Sequence, residues 1–169
     1  MTGRVATLNV ISPDAVSLFF GPVARCTDLK HAGSFAELRA VLERRPEGRG
    51  SPVTLDLIGH STRGHHLLRL GNDPVDMLDP VVARFFRSVA DLRLLPRLGV
   101  AAVRLLGCET AVSSGGRRTL RLLARTLGLP VFGTLKPLMK SHYNEHGFNP
   151  AFAQVLVEAS ELGAGLPAG

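Results

Sequence analysis

Two side chains in this sequence have both the chemistry and the setting to act on a substrate: the cysteine of "VRLLGCET" and the histidine of "LDLIGHST". Each follows an apolar run that stops at a glycine, Gly107 before Cys108 and Gly59 before His60. A free thiol is mostly protonated at neutral pH, whereas the thiolate is the nucleophile. A neighbouring imidazole can take that proton, hold it as an ion pair, and return it to a leaving amine. Backbone N–H groups at the cysteine can hold the oxyanion of the tetrahedral intermediate. This is thiol-dependent acyl transfer, with Cys108 as nucleophile and His60 as acid and base. A competing reading makes Cys108 a small buried hydrophobe and His60 a structural histidine. The matched placement of the two residues favours chemistry.

For these groups to meet, the runs that carry them must be neighbouring strands, which lie about 4.8 Å apart. The pattern along the chain supports such a sheet. Strands are expected at 4–11 (RVATLNVI), 53–59 (VTLDLIG), 100–107 (VAAVRLLG) and 129–135 (LPVFGTL). Between them, 34–45 reads as a helix, with Ser34 and Glu37 in capping-box spacing and Phe35, Leu38, Val41 and Leu42 on one face. Residues 47–52 are a loop, "HSTRGHH" a turn, and "LLRLG" a short hairpin arm. Asp79 and Pro80 open a helix through "VVARFFRSVADLRLL". A further helix is expected at 115–128, with Leu120, Leu123 and Leu127 inward and Gly128 as its stop. "SHYNEHGFNP" reads as a loop, and 149–163 as a closing helix with Asn149 as cap and Pro150 at its first position.

Apolar strands joined by long helical crossovers predict an α/β fold: a three-layer αβα sandwich with a mostly parallel sheet and helices on both faces. One domain is expected over 1–163, with 164–169 as a frayed tail. Functional groups in such a sheet collect beyond the carboxyl ends of the strands, where His60 and Cys108 fall.

"DLIGH" followed by "RLLGC", roughly 50 residues apart, resembles the histidine and cysteine motifs of the caspase-like cysteine peptidases. Within that clan the pattern is closest to the self-processing cysteine protease domains of bacterial toxins, and more loosely similar to caspase-like domains of bacterial signalling proteins. The resemblance covers about residues 50 to 135. It implies a caspase–haemoglobinase fold and a cysteine endopeptidase acting on a peptide or protein through a His60–Cys108 dyad. The oxyanion would be held by the backbone amides of Cys108 and Ser61. The family has glycine after the histidine where this chain has Ser61, which a position requiring positive φ would resist. The "QACRG" signature of caspases is absent, and Glu109 follows the thiol. Asp56, Arg104, Glu109 and Thr134 are candidates for a pocket that receives a substrate side chain. The same dyad also fits a thiol hydrolase or acyltransferase acting on small esters or amides.

Composition bounds the rest. At 169 residues, 45% hydrophobic and 20% charged, the chain is expected to be a soluble domain. No apolar run approaches the roughly 20 residues that span a bilayer, and the N-terminus lacks a signal-peptide layout, so a cytoplasmic location without a membrane partner is expected. Cys26 and Cys108 are too few for a disulfide framework. His142 and His146 sit in a glycine- and proline-containing stretch without H-E-x-x-H, so neither metal nor cofactor is expected. The net charge of +6 is carried almost wholly by arginine, since Lys30, Lys136 and Lys140 are the only lysines.

Arg117, Arg121 and Arg125 form a stripe behind "SSGG". That stripe is either an anion site with Arg117 and Arg121 as ligands or the solvated face of an amphipathic helix. The resembling toxin domains are switched on by inositol hexakisphosphate, which implies an anionic activator as a candidate partner. The alternative to an enzyme is a degenerate caspase-like domain that binds a protein or an anion through this arginine-rich face. No nucleic-acid-binding motif is present.

Overall fold

The computed structural model describes residues 6–16 and 28–162. Cys26, the first two residues of the expected first strand, the end of the expected closing helix and the 164–169 tail lie outside them. The described chain runs β1 (Ala6–Ile11), β2 (Leu29–His31), α1 (Phe35–Arg44), β3 (Val53–Ile58), the hairpin β4 (Arg69–Leu70) and β5 (Asp73–Pro74), then α2 (Pro80–Asp91), α3 (Leu94–Arg97) and β6 (Val100–Leu106). It continues with α4 (Ser114–Leu127), β7 (Val131–Thr134), a small hairpin of β8 (Tyr143–Asn144) and β9 (Gly147–Phe148), and β10 (Leu156–Glu158).

Among the described residues six strands form the central sheet in the order β10-β7-β6-β3-β1-β2, all parallel except β10. Register follows the apolar pattern: Leu8, Leu55 and Val103 align, as do Val10, Leu57 and Leu105. These residues share one face, and among the described residues the buried side of every α-helix packs on it, including Leu42 of α1, Phe86 of α2, Leu95 of α3 and Leu120 of α4. A physical reason lies in the strand order. The crossovers β2 to β3, β3 to β6 and β6 to β7 all step the same way along the sheet, and right-handed connections then fall on the same side. Only β1 to β2 steps the other way.

The opposite face carries Ile11, Ile58 and Leu106, covered by Leu138, Tyr143, Phe148 and Val155. Among the described residues no α-helix lies on that face, where the sandwich expectation put one. The expected closing helix is part of the difference. Asn149 does cap, accepting from the Ala151 amide at 3.0 Å, and Pro150 starts a turn of 3-10 helix. Phe152 then leaves helical geometry, and Leu156–Glu158 pairs antiparallel with β7. The open edge of β7 offers unpaired backbone groups, and that tertiary demand overrides the local helical pattern.

The expected single helix through 95 likewise divides. Arg93 adopts a left-handed conformation, and the chain restarts at Leu94, which leaves Pro96 in a first turn, where its missing N–H is harmless. The other caps read from the sequence hold: Ser34 accepts from the Glu37 amide, Asp79 from Val81, and Gly128 closes α4 at φ 66°. Glu37 reaches back to the amide of Gly33 rather than that of Ser34.

Candidate active site

Three adjacent strands, β1, β3 and β6, end at one rim of the sheet, with Ile11, Ile58 and Leu106 in register across it. Beyond these ends come Asp14, His60 and Cys108, in that spatial order. The strand order reverses direction at β1 and β3, which is where open α/β sheets leave a crevice for ligands.

The glycines before His60 and Cys108 have a packing reason. A Cβ on Gly59 would sit 2.5 Å from the carbonyl oxygen of Arg69, and one on Gly107 would sit 2.7 Å from Ser61 Oγ. Their bare backbones let the β4 arm and Ser61 close over the strand ends. Ser61 Oγ donates to the Cys108 carbonyl at 2.8 Å, tying the histidine turn to the cysteine turn. The histidine turn is held to β4 by bonds from the Arg69 amide to the His60 carbonyl and from the Thr62 amide to the Leu67 carbonyl.

His60 is partly exposed, and its Nε2 lies 3.2 Å from the Asp14 carbonyl oxygen. A carbonyl oxygen only accepts, so this bond requires the proton on Nε2 and leaves Nδ1 of a neutral ring as the basic atom. The Cys108 thiol is free and partly exposed. Among the described residues no hydrogen bond joins it to the imidazole, whose Nε2 meets the Asp14 carbonyl instead. Ser61 lies outside the left-handed region, where His66, Arg93 and Glu109 fall. The serine in place of glycine therefore meets no backbone obstacle. Among the described residues neither the Ser61 amide nor the Cys108 amide donates a hydrogen bond.

Loop 107–111 is pinned from below. Thr134 Oγ1 donates to the Gly107 carbonyl at 2.6 Å and accepts from the Thr110 amide at 3.0 Å. Thr110 Oγ1 donates to the Leu105 carbonyl at 3.0 Å and accepts from the Thr134 amide at 2.9 Å. Ser113 caps α4 through the Gly116 amide and also donates to the His65 carbonyl.

The expected substrate pocket divides. Thr134 and Asp56 are both 0% exposed, so neither presents its side chain to a substrate. Asp56 instead takes a two-pronged ion pair from Arg104, with both contacts at 2.6 Å, and the guanidinium lies 5.3 Å over the Phe148 ring. Complete burial pushes the Asp56 carboxyl up, against the pull of Arg104. Two short parallel contacts are the geometry of an ionised pair. This pair anchors the β8–β9 hairpin rather than lining a pocket. Glu109 follows Cys108 in the chain and is partly exposed.

Asp14 is the residue the sequence did not single out. Partial burial would raise its carboxyl, but hydrogen bonds from Ser12 and Arg69, with the charges of Arg69 and His60, hold it below the usual carboxylate range. Its part at the rim is played by a backbone carbonyl, which no residue type announces.

The candidate anion ligands sit elsewhere. Arg117 Nε donates to the Ala111 carbonyl at 3.3 Å, and Arg121 to the Leu162 carbonyl at 3.2 Å. Arg121 and Arg125 line a hollow of about 420 Å³ together with Glu158. Among the described residues no three His, Cys, Asp or Glu side chains gather as a metal would need, and no helix is long and apolar enough to cross a membrane. No family model, curated protein or solved structure matches the chain.

Proposed function

We propose that this chain is a cysteine endopeptidase of caspase-like fold. The observation that carries the reading is the order of groups along the rim: a carbonyl, an imidazole and a thiol, delivered by three neighbouring strands. In the proposed reaction Nδ1 of His60 takes the thiol proton, and the thiolate attacks the peptide carbonyl carbon. The resulting oxyanion is held by the amides of Ser61 and Cys108. Collapse expels the amine, which receives the proton from His60. Water then hydrolyses the thioester with His60 as base. The Asp14 carbonyl holds the ring in the one tautomer that leaves Nδ1 basic.

Arg117 and Arg121 each donate to a backbone carbonyl of the chain, so an arginine-face binding module has less specific support. The test is labelling with iodoacetamide at neutral pH followed by mass mapping, alongside cleavage of a peptide library. Cys108 is the modified residue, and His60→Ala slows its labelling while leaving the fold intact. Cys108→Ala abolishes cleavage. Undiminished cleavage by the Cys108→Ala protein overturns the assignment.

A further inference from the structure

We propose that Arg69 is a positioning residue for His60, acting through Asp14. The inference rests on the peptidase reading for its purpose but on the structure alone for its geometry. Arg69 Nη1 donates to Asp14 Oδ2 at 2.7 Å and to the Gly71 carbonyl at 2.6 Å. The other carboxylate oxygen, Asp14 Oδ1, accepts from Ser12 Oγ, and Ser12 Oγ in turn accepts from the Gly71 amide at 2.8 Å. Both oxygens of Asp14 are thus tied to the turn between β4 and β5, while its carbonyl meets His60 Nε2. Ser12 continues the sheet through its own amide, bonded to the Ile58 carbonyl at 2.8 Å. The loop after β1 therefore cannot shift against His60 without breaking one of these ties.

An ordinary surface ion pair contributes little to stability. This one does something a surface pair does not. It holds the loop whose backbone oxygen selects the tautomer of His60. Arg69 thereby holds the Asp14 backbone where its carbonyl oxygen meets His60 Nε2.

The test reads which ring nitrogen of His60 carries the proton, from 15N and Nε2–H signals in NMR spectra of the full chain; it needs no turnover and so stands apart from the peptidase assignment. In the wild-type protein the proton sits on Nε2, bonded to the Asp14 carbonyl. Arg69→Gln frees the Asp14 loop, and the Nε2–H proton exchanges severalfold faster. Arg69→Lys keeps a donor for the carboxylate and restores the wild-type exchange. If cleavage is measurable, Arg69→Gln lowers kcat with little change in KM, and Arg69→Lys recovers it. Unchanged ring signals in a folded Arg69→Gln protein overturn the proposal. Should Arg69→Gln fail to fold, Asp14→Asn, which keeps the backbone carbonyl and loses the ion pair, decides alone: an unaltered Nε2–H signal refutes the coupling.

Discussion

Immediately after the thiol, Glu109 turns the chain through a left-handed conformation, φ 57°, and its amide reaches the Lys136 carbonyl at 3.3 Å. A residue with a Cβ pays roughly 1–2 kcal/mol there, less for asparagine and more for β-branched side chains. Glu109→Asn is expected to match or exceed wild-type stability, and Glu109→Val to fall about 1–2 kcal/mol below it, as read by urea unfolding. The reverse order would show that the bend is not retained in solution. Asp14 supplies a second residue-scale prediction. Its carboxyl lies lower in the folded chain than in the unfolded one. The folded state therefore binds fewer protons in the acid range, and stability is lost as pH falls through the folded value. Above the ordinary carboxylate range, near pH 4, that contribution is fully present. In stability-against-pH curves, the difference between wild type and Asp14→Asn should shrink with acidification and stay constant above that range. A difference that grows in acid would reverse the sign assigned here.

At the level of elements, the cysteine turn is shaped by β7 rather than by its own sequence. Thr134 satisfies the Gly107 carbonyl and the Thr110 amide in a buried place. Thr134→Val keeps the shape and removes both bonds, leaving two buried backbone groups unpaired, which costs about 2–3 kcal/mol. The variant should unfold at lower denaturant, while Thr134→Ser stays near wild type. Equal stability of the Val and Ser variants would sink this account. The same elements show what the sequence made legible. Strands ending in Gly-His and Gly-Cys, and the caps at Ser34, Asp79 and Gly128, were readable because local chemistry decides them. The strand at 156–158, the break at Arg93 and the contact of His60 with Asp14 were not. Each depends on a partner distant in the chain, and in the last case on a backbone atom.

On the scale of the whole molecule, the sheet separates a dry face from a face with polar anchors. On the second face Asn9, Asp56 and Arg104 align across three strands. Asp56 is completely enclosed, while the Arg104 side chain keeps 19% exposure. Such a pair orders the hairpin packed over it: Phe148 of β9 lies on the guanidinium, and the Asn9 side chain donates to the His146 carbonyl. Removing one partner strands the other in the interior, so Asp56→Leu and Arg104→Met should each cost about 3–5 kcal/mol. Replacing both with apolar groups removes the uncompensated charge, and the double variant should recover most of that loss. Denaturant unfolding of the four proteins in a double-mutant cycle measures the coupling. Additive single losses would mean that the two groups do not form an ionised pair. In that event the hairpin over this face would owe its place to Tyr143, Phe148 and Val155 packing on Ile58 and Leu106, and its order would survive the loss of either charge.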